Sequence, residues 1–240
     1  MTLLRAALAT ALLLLSAPAR AELLAVDLEL VLAIDASGSV DDQEFRLQLD
    51  GIASAFRDPG VQAAIAKQPL GRIAVALVVW SESNRPKDST PWFLIGDPAG
   101  AEAFAATVEA WPRRIANGGT GIGKALHFST QALTRNAFAA DRMVIDLSGD
   151  GRETPPSDWT LGPAEGRAYA ASRGVEINGL AILNDEPDLD SYFRDEIILG
   201  PEAFVIAVTD YQAYAEAMRI KLMREIEAEP NVSLWMGNGG

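Results

Sequence analysis

The chain contains no cysteine. That absence removes disulfide staples, thiolate zinc sites and a lipidated cysteine anchor together. There is a single histidine, His127, in 240 residues, so a Ser-His-Asp triad would have to be built around that one ring. No G-x-S-x-G elbow is present to carry a nucleophile for it. Basic residues are scarce, 20 against 33 acidic ones, a balance that disfavours a phosphate backbone and so excludes nucleic acid as the expected partner. No linker rich in Pro, Gly or Ser and no internal repeat divides the chain, and beyond the first 21 residues no run is apolar enough to span a bilayer.

The opening "MTLLRAALATALLLLSAPARA" has an early Arg5, an apolar stretch shorter than the ~20 residues a membrane span needs, a break at Pro18, and Ala19-Arg20-Ala21. This is the form of a secretory signal, with cleavage after Ala21 and a mature chain that starts at Glu22. Residues 22–240 are then expected to form one domain, with a core of about 27–228. Export without cysteine suits the bacterial cell envelope, periplasmic or secreted, better than an animal extracellular module. Losing Arg5 and Arg20 takes the 20 basic residues to 18 and the net charge from -13 to -15.

Short apolar runs alternate with amphipathic segments through the mature sequence. Leu28–Ile34, Arg72–Trp80, Arg142–Ser148, Val175–Leu183 and Ala203–Val208 read as strands, mostly buried on both faces. "PWFLIG" reads as an edge strand, because Pro91 cannot donate to a central ladder. A helix is expected from Asp41, where Phe45, Leu49, Ile52, Ala53 and Phe56 mark one face. Asp41 and Glu44 have the spacing of a capping box, and Val40 can pack on Phe45. Further helices are expected at 99–110, 120–135, 162–172, 189–197 and 210–227, the last with Tyr211, Tyr214, Ala215, Met218, Leu222 and Ile226 as its apolar stripe. The alternation predicts an α/β fold: a doubly wound, mostly parallel, six-stranded sheet of Rossmann type with helices on both faces. Ligands in such sheets bind at the carboxyl ends of the strands, at the topological switch point.

At that end of the first strand, "LVLAIDASGSV" passes from an apolar run into Asp35, Ser37 and Ser39. Asp and Ser before a helix can serve capping alone. Two further elements follow in order, however: Thr120 in "GGTG" and Asp150 in "LSGDG" after another strand. Together they resemble the metal-ion-dependent adhesion site of the von Willebrand factor type A fold. Stretches such as "PLGRIAV", "INGLAIL" and "AFVIAVTDYQAYAEAMRIKLMREI" extend the likeness over 27–228, toward an exported bacterial family of that fold whose function is unassigned.

The resemblance implies a divalent cation held by Asp35, Ser37, Ser39, Thr120 and Asp150. Ser37 and Ser39 would bind directly, Thr120 directly or through water, and the two carboxylates directly or by orienting bound water. Carboxylate and hydroxyl oxygens suit Mg²⁺ best, with Mn²⁺ or Ca²⁺ as substitutes. Two carboxylates leave such an ion able to accept a third, so the implied partner is a protein presenting an Asp or Glu. Asp41 and Asp42 are assigned to the helix start, and Glu82 and Glu153 to solvated rim positions. Two other classes compete with this adhesion module. One is a metal-dependent hydrolase using Ser37 or Ser39, disfavoured because His127 is expected to face solvent. The other is a structural domain with a non-functional site. "GGTGIGK" (118–124) mimics a phosphate-binding loop, but Ala125 follows where that motif needs Ser or Thr, and the segment before it is a poor strand.

Overall fold

A computed structural model describes residues 23–115, 118–154 and 160–227. The leader, Glu22 and Ala228 lie outside the described residues. Before the first long strand comes β1 (Leu24–Ala25), and then β2 (Leu28–Asp35), α1 (Asp42–Arg57), α2 (Pro59–Ala66), β3 (Ile73–Trp80), β4 (Asp88–Ser89), β5 (Phe93–Ile95) and α3 (Pro98–Glu109). The second half runs α4 (Ile122–Thr134), β6 (Phe138–Ala139), β7 (Met143–Gly149), α5 (Pro163–Ala171), β8 (Val175–Ile182), α6 (Leu189–Tyr192), β9 (Val205–Val208) and α7 (Tyr214–Glu227).

The main sheet has the order β4-β3-β2-β7-β8-β9, with β5 also pairing with β3. Its long strands are parallel and only β4 and β5 are antiparallel. The chain leaves β2 toward β3 on one side and returns to β7 on the other, which places the switch point between β2 and β7. Every residue of β2 and β3 is buried, as central strands covered on both faces require. Alternation divides the core into two layers. Leu28, Leu30, Leu32 and Ile34 pack with α1, α3 and α7 on one face, while Val31, Ala33, Ile145 and Leu147 pack with α4, α5 and α6 on the other.

The six-stranded expectation becomes seven strands, because the two-residue β4 is too short to leave a pattern. The edge strand after Pro91 is present as β5. Helix α2 was not anticipated. Asp58 closes α1 and also starts the next helix: its Oδ1 accepts from Gly60 N at 2.8 Å and Val61 N at 3.1 Å, with Pro59 in the first turn. The segment 189–197 is one turn of α-helix followed by the π-helical Phe193–Ile197. Phe193 fills the space left by Gly179, where a Cβ would come within 2.7 Å of its ring. The 210–227 segment begins with a 3-10 turn, Tyr211–Ala213. On α7 Ala215 is exposed, and Lys221 and Glu225 are buried where only apolar residues were expected.

Candidate metal centre

The turn after β2 is fixed at both ends. Ala36 N donates to Trp80 O at 2.8 Å across the sheet. At the exit, Glu44 N donates to Asp41 Oδ1 and Asp41 N to Glu44 Oε2, each at 2.8 Å, so the expected capping box forms, with Val40 and Phe45 buried in one cluster behind it. Between these anchors Ser37 N donates to Asp35 Oδ1 at 2.7 Å. The hydroxyls of Ser37 and Ser39 lie 3.1 Å apart, and Ser39 Oγ donates to Asp150 Oδ1 at 2.6 Å. Asp150 arrives there because β7 runs beside β2, with Ala33 opposite Leu147. Asp35, two residues on, places its Oδ2 3.2 Å from where a Gly149 Cβ would stand.

Thr120 comes from the loop before α4. Thr120 N donates to Thr154 Oγ1 at 2.8 Å and Thr154 N to Thr120 O at 2.9 Å. The Thr120 hydroxyl lies 3.6 Å from the position of a Cβ on Gly151, the residue after Asp150. Gly38 N donates to Gly118 O at 2.8 Å, and a Cβ on Gly38 would crowd that oxygen at 3.2 Å, so the close approach of the two loops needs a glycine. Asp35, Ser37, Ser39 and Asp150 are thus joined in one hydrogen-bonded chain, and Thr120 borders it through the Thr154 and Gly151 loop.

Asp35, Ser37 and Asp150 are buried, and Asp35 Oδ2 and Asp150 Oδ2 have no hydrogen-bond partner. Burial, and then the neighbouring charge of Asp150, push the Asp35 carboxyl up to about 8. Burial raises Asp150 as well, against the hydrogen bond from Ser39. Two buried carboxylates with open acceptor oxygens are costly unless a cation satisfies them. Their companions are hydroxyls, with no Cys or His in the cluster, and among the described residues no group of three or more Asp, Glu, His or Cys could by itself hold a metal ion. The donor set therefore fits a hard divalent ion and not a soft one.

The residue that grips this turn carries no local sequence signal. Arg113, from the segment before α4, donates through NH2 to the carbonyls of Ala36, Ser37 and Val40 at 3.1, 3.2 and 2.8 Å. Its NH1 pairs with Asp42 at 2.9 Å, and its guanidinium lies over the Phe45 ring. A single arginine fork thereby fixes the backbone that presents Ser37 and Ser39. No motif marks it, because its partners are carbonyls more than 70 residues away in sequence.

Two rim expectations need correction. Glu153 is not a solvated charge: it accepts from Gly123 N at 3.0 Å and Ser83 Oγ at 3.3 Å, and burial raises its pKa. It supplies the acceptor that the N-cap of α4, Gly121, lacks. His127 is half-buried and stacked on Tyr169, ring centroids 4.5 Å apart, where a solvent-facing side chain was expected. Glu82 remains half-exposed and faces Arg85 at 3.6 Å. In the phosphate-loop mimic, Gly123 packs so closely on Gly162 that a Cβ would lie 2.2 Å from its carbonyl oxygen. The start of α4 already receives a carboxylate where that motif would receive phosphate.

Solved structures share this architecture. They include the pilus adhesin SpaC from Lactobacillus rhamnosus GG, with a TM-score of 0.59 and 14% identity over 84% of this chain and 30% of that one. Proximal thread matrix protein 1 from the mussel byssus, in a structure with a zinc-occupied MIDAS motif, gives 0.54 and 13% over 84% and 48%. BatB from Bacteroides thetaiotaomicron, a conserved hypothetical protein, gives 0.50 and 18% over 82% and 99%. The chain spans less than half the length of the first two. The fold is that of a von Willebrand factor A-like, Rossmann-type domain. No curated protein matches the chain. A family model described as "Protein of unknown function (DUF1194)" matches residues 25–230, and the chain belongs to that family.

Proposed function

We propose that the chain is an exported, metal-ion-dependent protein-binding module of the bacterial cell envelope, and not an enzyme. In this reading Asp35, Ser37, Ser39, Thr120 and Asp150 hold a divalent cation, Mg²⁺ in preference to Mn²⁺ or Ca²⁺, to which an Asp or Glu of the partner protein adds its carboxylate. The observation that carries it is the pair of unpartnered, buried carboxylate oxygens on Asp35 and Asp150 at the ends of a hydrogen-bonded chain of serines. The ion would supply positive charge to draw an anionic side chain into this acidic surface. The protein's own residues do the rest. Arg113 and the Asp41–Glu44 box hold the serine turn, β7 delivers Asp150, and the two hydrogen bonds between Thr120 and Thr154 steady the third loop. The zinc-occupied motif of the mussel protein and the adhesin role named for SpaC support the reading by likeness of fold. With the mature net charge at -15, a neutral or basic partner bearing a local carboxylate approaches more readily than an acidic one.

Thr120→Val and Lys124→Ala test the assignment as a pair. Removing the Thr120 hydroxyl at nearly constant volume is expected to weaken Mn²⁺ binding about tenfold and to reduce metal-dependent capture of envelope proteins in parallel. Lys124→Ala, a surface change at the start of α4, is expected to leave affinity within about twofold. Neither protein should bind ATP. ATP binding by the wild type that vanishes in Lys124→Ala would favour a phosphate loop and reject the adhesion reading.

A further inference from the structure

Strand β7 and helix α7 face each other through a polar seam. Asp146 and Ser148 lie on the α7 face of β7, and Asp150 follows at the same two-residue spacing just beyond the strand. Lys221, Tyr214 and Tyr211 answer them in reverse order along the helix and its lead-in turn. Lys221 Nζ lies 3.0 Å from Asp146 Oδ1, and the Tyr214 hydroxyl lies 3.0 Å from Ser148 Oγ. The third rung is open. Tyr211 is buried at 3% exposure beside Asp150, yet neither its hydroxyl nor Asp150 Oδ2 has a hydrogen-bond partner.

Packing alone does not account for a tyrosine here. Its ring belongs to the apolar cluster shared by α1 and α7, a place phenylalanine would fill equally well. A buried hydroxyl without a partner is a penalty that phenylalanine would avoid. What surrounds the hydroxyl is acidic: the carboxylates of Asp150, Asp35 and Glu44 act on it, and each is an acceptor for a phenol O–H. Its backbone is pinned as well, since Asp210 Oδ1 accepts from Gln212 N at 2.9 Å and Ala213 N at 3.3 Å and so caps the turn that Tyr211 opens.

We infer that Tyr211 is a positioning residue of the metal centre: its hydroxyl donates to Asp150 and holds that carboxylate in the orientation in which it meets Ser39 and the cation. The inference rests on the proposed function, since it concerns the geometry of the same five residues. Tyr211 itself touches no ion. It acts through Asp150, as the outer hydrogen-bond partner of a ligating carboxylate does.

The test compares Tyr211→Phe with Tyr214→Phe, measuring Mn²⁺ affinity by calorimetric titration and the thermal midpoint in chelator. Tyr211→Phe should raise the Mn²⁺ dissociation constant about tenfold and leave the metal-free midpoint unchanged or higher. Tyr214→Phe breaks a formed buried hydrogen bond, so it should lower the midpoint and keep affinity within about twofold. Wild-type protein that binds Mn²⁺ while Tyr211→Phe binds it equally well overturns the inference and leaves the metal reading standing. Wild-type protein that binds no divalent ion overturns both. A lower metal-free midpoint in Tyr211→Phe, matching that of Tyr214→Phe, would show a structural role only and also overturn the inference.

Discussion

Asp150→Ala is expected to weaken Mg²⁺ or Mn²⁺ binding by about 100-fold or more, the upper range for losing even an outer partner of a metal site, while the metal-free protein melts at the same temperature or higher. Both halves follow from where the side chain stands. Asp150 lies one residue past the end of β7 and belongs to neither apolar cluster, so removing its carboxylate takes no apolar contact out of the core. In the metal-free protein that carboxylate is buried, leaves one oxygen unpartnered, and raises the pKa of Asp35 by its charge. Its loss relieves the repulsion, against the loss of one hydrogen bond from the exposed Ser39. Titration calorimetry and melts in chelator read the two effects separately. Unchanged affinity would remove Asp150 from the site.

Lys221→Met is expected to cost about 3–5 kcal/mol of stability at neutral pH, the usual consequence of deleting one partner from a buried ion pair. Lys221 is fully buried between Asp146, 3.0 Å away, and Glu225, 2.6 Å away. Asn178 Nδ2 also donates to Glu225 at 3.1 Å, and Arg142 donates to the Glu225 carbonyl. Two carboxylates therefore share one ammonium. Burial, opposed by Lys221 and helped by Glu225, pushes Asp146 up to about 7. A folded-state pKa above the unfolded value contributes stability at low pH that is lost as pH rises through it. Without Lys221 the Asp146 carboxyl would favour its protonated form still more strongly. The penalty in Lys221→Met should accordingly be smallest near about pH 5 and grow toward about pH 8, as urea titrations across that range would show. A triple replacement of Lys221, Asp146 and Glu225 by apolar residues of similar volume should recover most of the loss. A Lys221→Met protein as stable as wild type at neutral pH would contradict this account of the trio.

The contrast between these two sites shows what the sequence carries. The clustering of Asp35, Ser37, Ser39 and Asp150, with Thr120 at its border, could be anticipated because each stands at a strand end or in a loop with its own local signal: an apolar strand that stops, a glycine pair, a capping box. The parallel sheet covered on both faces followed from the alternation of strands with helices, whereas the order that sets β2 beside β7 leaves no local pattern. The Lys221 trio was hidden by the same kind of reasoning, since a lysine and a glutamate four apart on a helix read as an exposed pair. Only the facing Asp146, inside the apolar run "VIDLS", hinted that the helix would meet a charge. Arg113 and the second role of Glu153 depend on contacts across loops, which no periodicity records. Helix α2 was lost because Asp-Pro can end one helix and begin another with the same two residues.

The most direct test is anomalous diffraction from crystals of the mature chain grown with Mn²⁺. The proposed five-residue metal centre predicts one strong anomalous peak among the oxygens of Asp35, Ser37, Ser39, Thr120 and Asp150, with the ion bound directly to at least the two serine hydroxyls and absent from crystals of Asp150→Ala. Crystals of the wild-type chain with no peak among these residues at saturating Mn²⁺, or with the ion bound only elsewhere on the surface, would contradict it.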